Sequence, residues 1–259
     1  MIGKGLLIEL RVVHALILRE TRTRFGTHHL GYLWALIEPL IWIVSFLGYF
    51  ALVQRRLPAG MTGLGFLATG LVPFLLFREA SGRASLAVSG NRGLLFYPQI
   101  RPFDLVLARV LLEGTTYLCI FMLLGGAEAL IRGRLELASA LQLLFGLSLA
   151  AALGGALGLC LCALTVLAPV VERIQGPVLR PLFWISGIFF CANELPTPLR
   201  RFMLRNPLVH VSEIVRAGWF KSYNARYANP WYPLAWILLL GFFGLTLERV
   251  ARRKLELST

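Results

Sequence analysis

The residues with chemical capacity in this 259-residue chain are aromatic rings and a sparse set of charges. Trp42, Phe46 and Tyr49 recur at helical spacing, and Phe183, Trp184, Phe189 and Phe190 crowd a later apolar segment. Flat rings with polar tips suit sugars, whose rings present apolar CH faces edged by hydroxyls. The same residues suit a bilayer interface or a packed core, and spacing alone leaves both readings open. Charges inside otherwise apolar stretches are the second signal, because they are costly there and often functional. Glu38 precedes Pro39 near the start of the first such stretch, where it fits either structural anchoring or the lining of a pathway. Arg109 and Glu113 stand four apart, so they can pair on one helix face.

Several chemistries have no sequence support. There is no G-x-x-x-x-G-K-[ST] phosphate loop, and none of the three lysines, Lys4, Lys221 and Lys254, follows a glycine-rich turn. H-E-x-x-H, G-x-S-x-G and metal-spaced Cys/His clusters are absent too, so no catalytic or metal-binding residue and no cofactor is assigned. Cys119, Cys160, Cys162 and Cys191 lie in or beside apolar segments and read as small packing residues. The apolar stretches hold too few carboxylates and histidines for a proton relay.

Hydrophobic residues make up 57% of the chain and charged residues 15%, against about 45–50% and about 25% in soluble domains. Net charge is +13, but the basic residues sit in short blocks beside apolar segments rather than over a domain surface. That pattern excludes nucleic acid as a partner and reads as membrane topology.

Six spanning helices are expected, at 31–53, 57–77, 103–131, 137–171, 174–193 and 227–247. The second, 21 residues without a charge, reaches about 31 Å as a helix. The fourth, 35 residues without a charge, must tilt or extend beyond the bilayer, and its Gly154 and Gly158 permit close helix packing. Residues 1–26 lack the long apolar core of a signal peptide and read as an amphipathic interfacial helix. Leu6, Leu10, Val13 and Ile17 lie on one face of it, and Lys4, Arg11 and Arg22 on another. With both termini inside, cytoplasmic parts carry 16 Lys and Arg against 10 outside, six of the 10 in residues 193–229. Outside that one loop the contrast is 16 to 4, which supports cytoplasmic termini. The exceptional loop holds Thr197-Pro198 and Asn206-Pro207, each a capping residue before a proline, so two short helices dipping into the outer leaflet and returning are expected.

The order of these parts resembles a known family. The residues that carry the resemblance are Gly31-Tyr32-Leu33-Trp34-Ala35-Leu36-Ile37-Glu38-Pro39-Leu40 after the N-terminal helix, Gly90-Asn91-Arg92-Gly93-Leu94-Leu95 in the basic loop after the second span, and Asn206-Pro207-Leu208-Val209-His210-Val211-Ser212-Glu213-Ile214-Val215-Arg216 late in the chain. The chain is similar, over essentially its whole length, to the membrane subunit of type-2 ABC exporters, in the branch that secretes bacterial capsular polysaccharide or O-antigen. The resemblance implies an all-α membrane protein of the bacterial inner membrane, residues 1–259 forming one transmembrane domain. It implies a homodimer bound to two copies of a separate ABC ATPase, an anionic, lipid-linked polysaccharide as substrate, and a periplasmic export partner. Residues 83–95 then form the coupling helix on the ATPase, through Arg83, Asn91, Arg92, Leu94 and Leu95, and 193–229 form re-entrant outer helices. The substrate path would run along Glu38, Trp42, Phe46, Tyr49, Phe183 and Trp184, with Arg200, Arg201 and Arg205 attracting an anionic chain near its exit. An exporter of O-antigen, lipid or drug with the same architecture, and a membrane-embedded transferase, are the other readings.

Overall fold

The computed structural model describes residues 2–25, 30–58, 60–97, 99–133 and 137–256, and within these the side chains of 2–8, 24–25, 30–36, 92, 95–96, 252 and 254–256 are not described. All regular structure among the described residues is helical. In chain order the helices are α1 (Ile2–Phe25), α2 (Leu30–Leu52), α3 (Gly63–Ser85), α4 (Pro102–Arg132), α5 (Ala140–Leu167), α6 (Val170–Leu179), α7 (Leu182–Ile185), α8 (Thr197–Met203), α9 (Pro207–Trp219) and α10 (Trp231–Glu256). Two 3-10 segments, Ser89–Phe96 and Ala192–Glu194, join α3 to α4 and α7 to α8.

Helix α3 is the centre of the bundle. Every residue from Gly65 to Phe77 is buried, the signature of a helix enclosed on all sides. Thr62 caps it, its hydroxyl accepting from the Gly65 N–H at 3.1 Å. The helix does not stop at Phe77, where its uncharged stretch ends, but continues to Ser85 because Arg78, Glu79 and Arg83 all find partners. Helix α5 lies against α3 along a glycine seam: a Cβ on Gly154 would sit 2.6 Å from the Phe77 carbonyl oxygen, and one on Gly158 would sit 2.4 Å from Ala84 Cβ. The Gly154/Gly158 spacing thus brings the two backbones into close approach.

By length and composition α3, α4, α5 and residues Trp231–Ala251 of α10 are each able to cross a membrane, and α2 adds the shorter apolar helix Ile37–Leu52. The fifth expected segment, 174–193, is not one helix. Pro177 and Pro181 each remove a backbone donor, and Gly187, at φ +80°, ends the helical path beyond α7.

Helices α8 and α9 meet at Asn206-Pro207, as the two capping pairs imply. Asn206 caps α9 by accepting from the Leu208 N–H at 3.0 Å, and its amide donates to the Ile185 carbonyl at 2.9 Å. The first capping pair differs from expectation. Pro196, not Thr197, precedes α8, and the Thr197 hydroxyl instead accepts from Arg200 Nη2 at 3.3 Å. Helix α9 is buried along most of its length against α3 and α5, and its end is tied to the start of α5 by the Ser139 N–H to Gly218 carbonyl bond of 2.8 Å.

Candidate functional site

Helical spacing on α2 places Glu38, Trp42 and Phe46 on one face, four residues apart. The facing stretch of α3 contributes Phe74, Arg78 and Gly82 at the same interval, with Glu79 and Arg83 one residue further round. Helices α6 and α7 close the third side with Gln175, Leu179, Arg180, Phe183 and Trp184. Together these walls enclose a cavity of about 690 Å³, within the usual range for ligand sites of about 300–1,000 Å³.

Phe183 is the hub of the aromatic wall. Its ring centroid lies 5.5 Å from Trp42, 6.0 Å from Phe46, 5.3 Å from Phe74 and 5.3 Å from Trp184. Trp42 and Phe46 stack at 5.7 Å with their planes 15° apart. Phe183, two residues beyond Pro181, thus faces both α2 and α3. Trp42 and Trp184 stay 37% and 63% exposed, which leaves ring faces open to a ligand.

The rim of the cavity is ionic. Arg78 Nη2 lies 2.5 Å from Glu38 Oε1 and 3.0 Å from Glu79 Oε1. Arg83 Nε lies 3.5 Å from Glu79 Oε2 and 2.9 Å from Glu113 Oε1, on α4. Arg109 reaches away from the cavity, pairing with Glu20 of α1 at 2.9 Å and donating to the Arg83 carbonyl at 2.7 Å. The i,i+4 spacing of Arg109 and Glu113 thus understates both residues, since each has a partner on another helix.

The structure brings Trp42, Phe46, Phe183, Trp184 and Arg83 to one cavity and ties Glu38 to it through Arg78. Tyr49 is not in the cavity wall; its exposed ring lies 6.3 Å from Phe50. The three arginines form no part of that wall either. Arg200 stacks over Tyr227 at 4.0 Å, while Arg201 and Arg205 are exposed on and just beyond α8. Asn91, in the 3-10 segment, is buried and accepts from Arg19 Nη1 at 2.6 Å, whereas Leu94 is half-buried. The side chains of Arg92 and Leu95 lie outside the described residues.

Sequence reading missed Arg78 and Glu79, although Glu79 and Arg83 at i,i+4 are a legible pair. It also missed a buried cluster beneath α9. Glu213 accepts from Arg216 Nη1 at 3.0 Å, from the Ala192 N–H at 3.2 Å and from the Tyr223 hydroxyl. Arg216 also donates to the Gly187 and Phe190 carbonyls and stacks over Phe66 at 4.6 Å. Burial, and then the Glu213 charge, push the Tyr223 phenol well above its ordinary pKa, so it stays a proton donor. These three residues hold the segment after α7 onto α9.

The cavity therefore offers stacking faces with guanidinium donors and carboxylate acceptors at the rim. That set suits noncovalent recognition of hydroxyl-rich rings.

Residues 11–220 match the ABC-2 type transporter family. The chain is 34% identical over 249 residues to the polysialic acid transport protein KpsM of Escherichia coli, covering 96% of each chain. It is 32% identical over 247 residues to the capsule polysaccharide export inner-membrane protein CtrC of Neisseria meningitidis serogroup B, covering 94% of this chain and 92% of that one. To the capsule polysaccharide export inner-membrane protein BexB of Haemophilus influenzae it is 28% identical over 260 residues, with 98% and 96% covered.

Proposed function

This chain belongs to the ABC-2 type transporter family, and we propose that it is the inner-membrane permease subunit of a bacterial capsule polysaccharide exporter. The near full-length likeness to capsule export permeases carries this reading. The aromatic cavity gives it a physical basis.

In this reading two copies of the chain form the channel and two copies of a separate ABC ATPase drive it. Six passes are made by α2, α3, α4, α5, the α6–α7 stretch with the residues after it, and α10. The Lys and Arg distribution supports cytoplasmic termini. Helix α1 lies along the inner interface, and α8 and α9 are re-entrant from the outer side. Asn206 at their joint, half-buried and bonded through its side chain to the Ile185 carbonyl and the Leu208 N–H, supports this, since backbone within the bilayer must be satisfied by protein.

Residues 83–95 rest on the ATPase, with Arg83, Asn91, Arg92, Leu94 and Leu95 at or behind the contact. A lipid-linked, anionic polysaccharide enters past Glu38 and slides over Trp42, Phe46, Phe183 and Trp184. Tyr49 continues that face of α2 outward. Arg200, Arg201 and Arg205 draw the anionic chain at the exit, where a periplasmic partner receives it. Stacking holds sugars without fixing register, which suits a polymer that must keep moving.

Purification of the chain in mild detergent from its own host tests the reading. An ATP-hydrolysing subunit and an anionic glycan should copurify. Turnover of a lipid or sugar donor by the chain alone, without an ATPase, would instead make it a transferase.

A further inference from the structure

A line of ion pairs, bridged at one point by a backbone hydrogen bond, runs from α1 to the mouth of the aromatic cavity. Glu20 pairs with Arg109. Arg109 donates to the backbone carbonyl of Arg83, whose guanidinium pairs with Glu79. Glu79 pairs with Arg78, and Arg78 with Glu38. The residue beside Glu20, Arg19, donates to Asn91 in the 3-10 segment, and Asn91 donates back to the Ala87 carbonyl at 3.0 Å. The end of α1 thus grips the 83–95 segment at one point and the ion-pair line at the next.

Its inner members are shared. Arg78 serves Glu38 and Glu79, Glu79 serves Arg78 and Arg83, and Arg83 serves Glu79 and Glu113. A shared member can give up one partner and keep the other, so the line can re-pair without leaving a charge unpartnered. Arg78 and Arg83 also form part of the cavity wall. A sugar hydroxyl or carboxylate entering the cavity competes with Glu38 and Glu79 for these guanidiniums. Re-pairing at that end changes what Arg83 holds, and Arg83 is the last turn of α3 before the 3-10 segment.

We infer that Glu20, Arg109, Arg83, Glu79, Arg78 and Glu38 form a re-pairing relay that couples occupation of the aromatic cavity to the pose of residues 83–95. Arg83 is its central positioning residue. This rests on the proposed export function and adds to it a route between the polymer site and the ATPase-facing segment. The two ends, Glu20 on α1 and Glu38 on α2, are separated along the line by four ion pairs and one hydrogen bond.

The test is a double-substitution cycle on the two ends, in the full chain with its ATPase. The quantity read is polymer exported per ATP hydrolysed, which a mere fall in the amount of folded protein does not move. The unsubstituted pair is measured first; if it exports no polymer, the functional reading fails and the relay is not the cause. Glu20→Gln and Glu38→Gln should each lower the ratio about two- to thirtyfold, the usual span for residues that carry coupling. The double variant should fall no further than the worse single. Glu20→Asp and Glu38→Asp, which keep the charge, should restore most of the ratio. Independent sites multiply their losses, so fold-losses that multiply in the double variant overturn the relay. An unchanged ratio in either Gln variant, or equal loss in the Asp variants, overturns it too.

Discussion

Phe183 on α7 packs against Trp42 on α2, ring centroids 5.5 Å apart, across the cavity that α3 floors. The two are separated by 141 positions in the sequence, and each joins an aromatic neighbour on its own helix, Trp42 with Phe46 and Phe183 with Trp184. The contact joins the two pairs into one aromatic surface, with Phe183 lying two residues beyond Pro181 at the start of α7. In the proposed function, sugars move along this joint surface.

Replacing Phe183 with Leu keeps apolar bulk and removes the ring. Aromatic pairs contribute about 0.5–1.5 kcal/mol beyond the area they bury. Loss of that stacking from the moving polymer should lower surface polysaccharide about two- to tenfold at unchanged membrane abundance. Surface glycan per membrane-inserted permease, by immunoblot and glycan assay, checks this; equal export would remove Phe183 from the path.

The three outer arginines make an electrostatic prediction. Arg200, Arg201 and Arg205 lie on and beside α8 with Arg201 and Arg205 exposed, so an anionic chain on the proposed exit path meets them in water-accessible surroundings. Converting all three to Gln should lower export of an anionic polymer several-fold, on the order of the about 1 kcal/mol that an exposed pair contributes. Membrane insertion should be unaffected, because Arg200 is held by stacking on Tyr227 rather than by a buried partner. Export measured alongside protease-protected permease in spheroplasts distinguishes the two effects.

Much of the fold is written locally and is therefore legible. The helix order follows from apolar runs bounded by charges, and the α8–α9 turn from Asn206-Pro207, because capping and hydropathy act within a few residues. What escaped is tertiary. The second span ends at Phe77 if the first charge marks the membrane edge, yet Arg78, Glu79 and Arg83 continue α3 because α2 and α4 supply carboxylates. The fifth segment reads as apolar and hence spanning, while Pro177, Pro181 and Gly187 divide it. In the site, Trp42, Phe46, Phe183 and Trp184 were visible by type. That Tyr49 falls outside the wall and Arg78 inside it depends on how α2 is rotated against α3, which no window of sequence encodes.

Gly154 gives a packing prediction. A methyl group there would meet the Phe77 carbonyl oxygen at 2.6 Å and Ala80 Cβ at 2.9 Å, and neither is the flexible end of a side chain. Gly154→Ala should force α5 off α3 and cost about 1–3 kcal/mol, as overpacked cores do. Gly241, in α10, has open space at the same position. Gly241→Ala should therefore be neutral or stabilise by up to about 1 kcal/mol, through the lower entropy of the unfolded chain. Thermal unfolding of both variants in detergent checks the contrast, and equal melting temperatures would contradict the close α3–α5 approach.

The last prediction concerns the cluster that holds α9 to the segment after α7. Glu213 and Arg216 are both fully buried and 3.0 Å apart, and Tyr223 donates to the second oxygen of the same carboxylate. Arg216→Met leaves that carboxylate without its cation, a loss of about 3–5 kcal/mol for a buried pair. Glu213→Gln should cost less, since the Gly187 and Phe190 carbonyls still hold the guanidinium. Tyr223→Phe removes one bond to a charged acceptor, worth about 1.5–3 kcal/mol. It also removes a pH dependence whose sign is fixed. Burial raises the phenol above its ordinary 10.0 in the folded state, so the folded chain keeps a proton that the unfolded chain releases. The stabilisation is complete below pH 10.0 and is lost as pH rises towards the folded-state value. The gap in unfolding free energy between the unsubstituted chain and Tyr223→Phe should therefore be largest near about pH 8 and shrink towards about pH 11. Denaturant unfolding in detergent across that interval measures it, and a gap that stays constant would mean that Tyr223 does not hold its proton against Glu213.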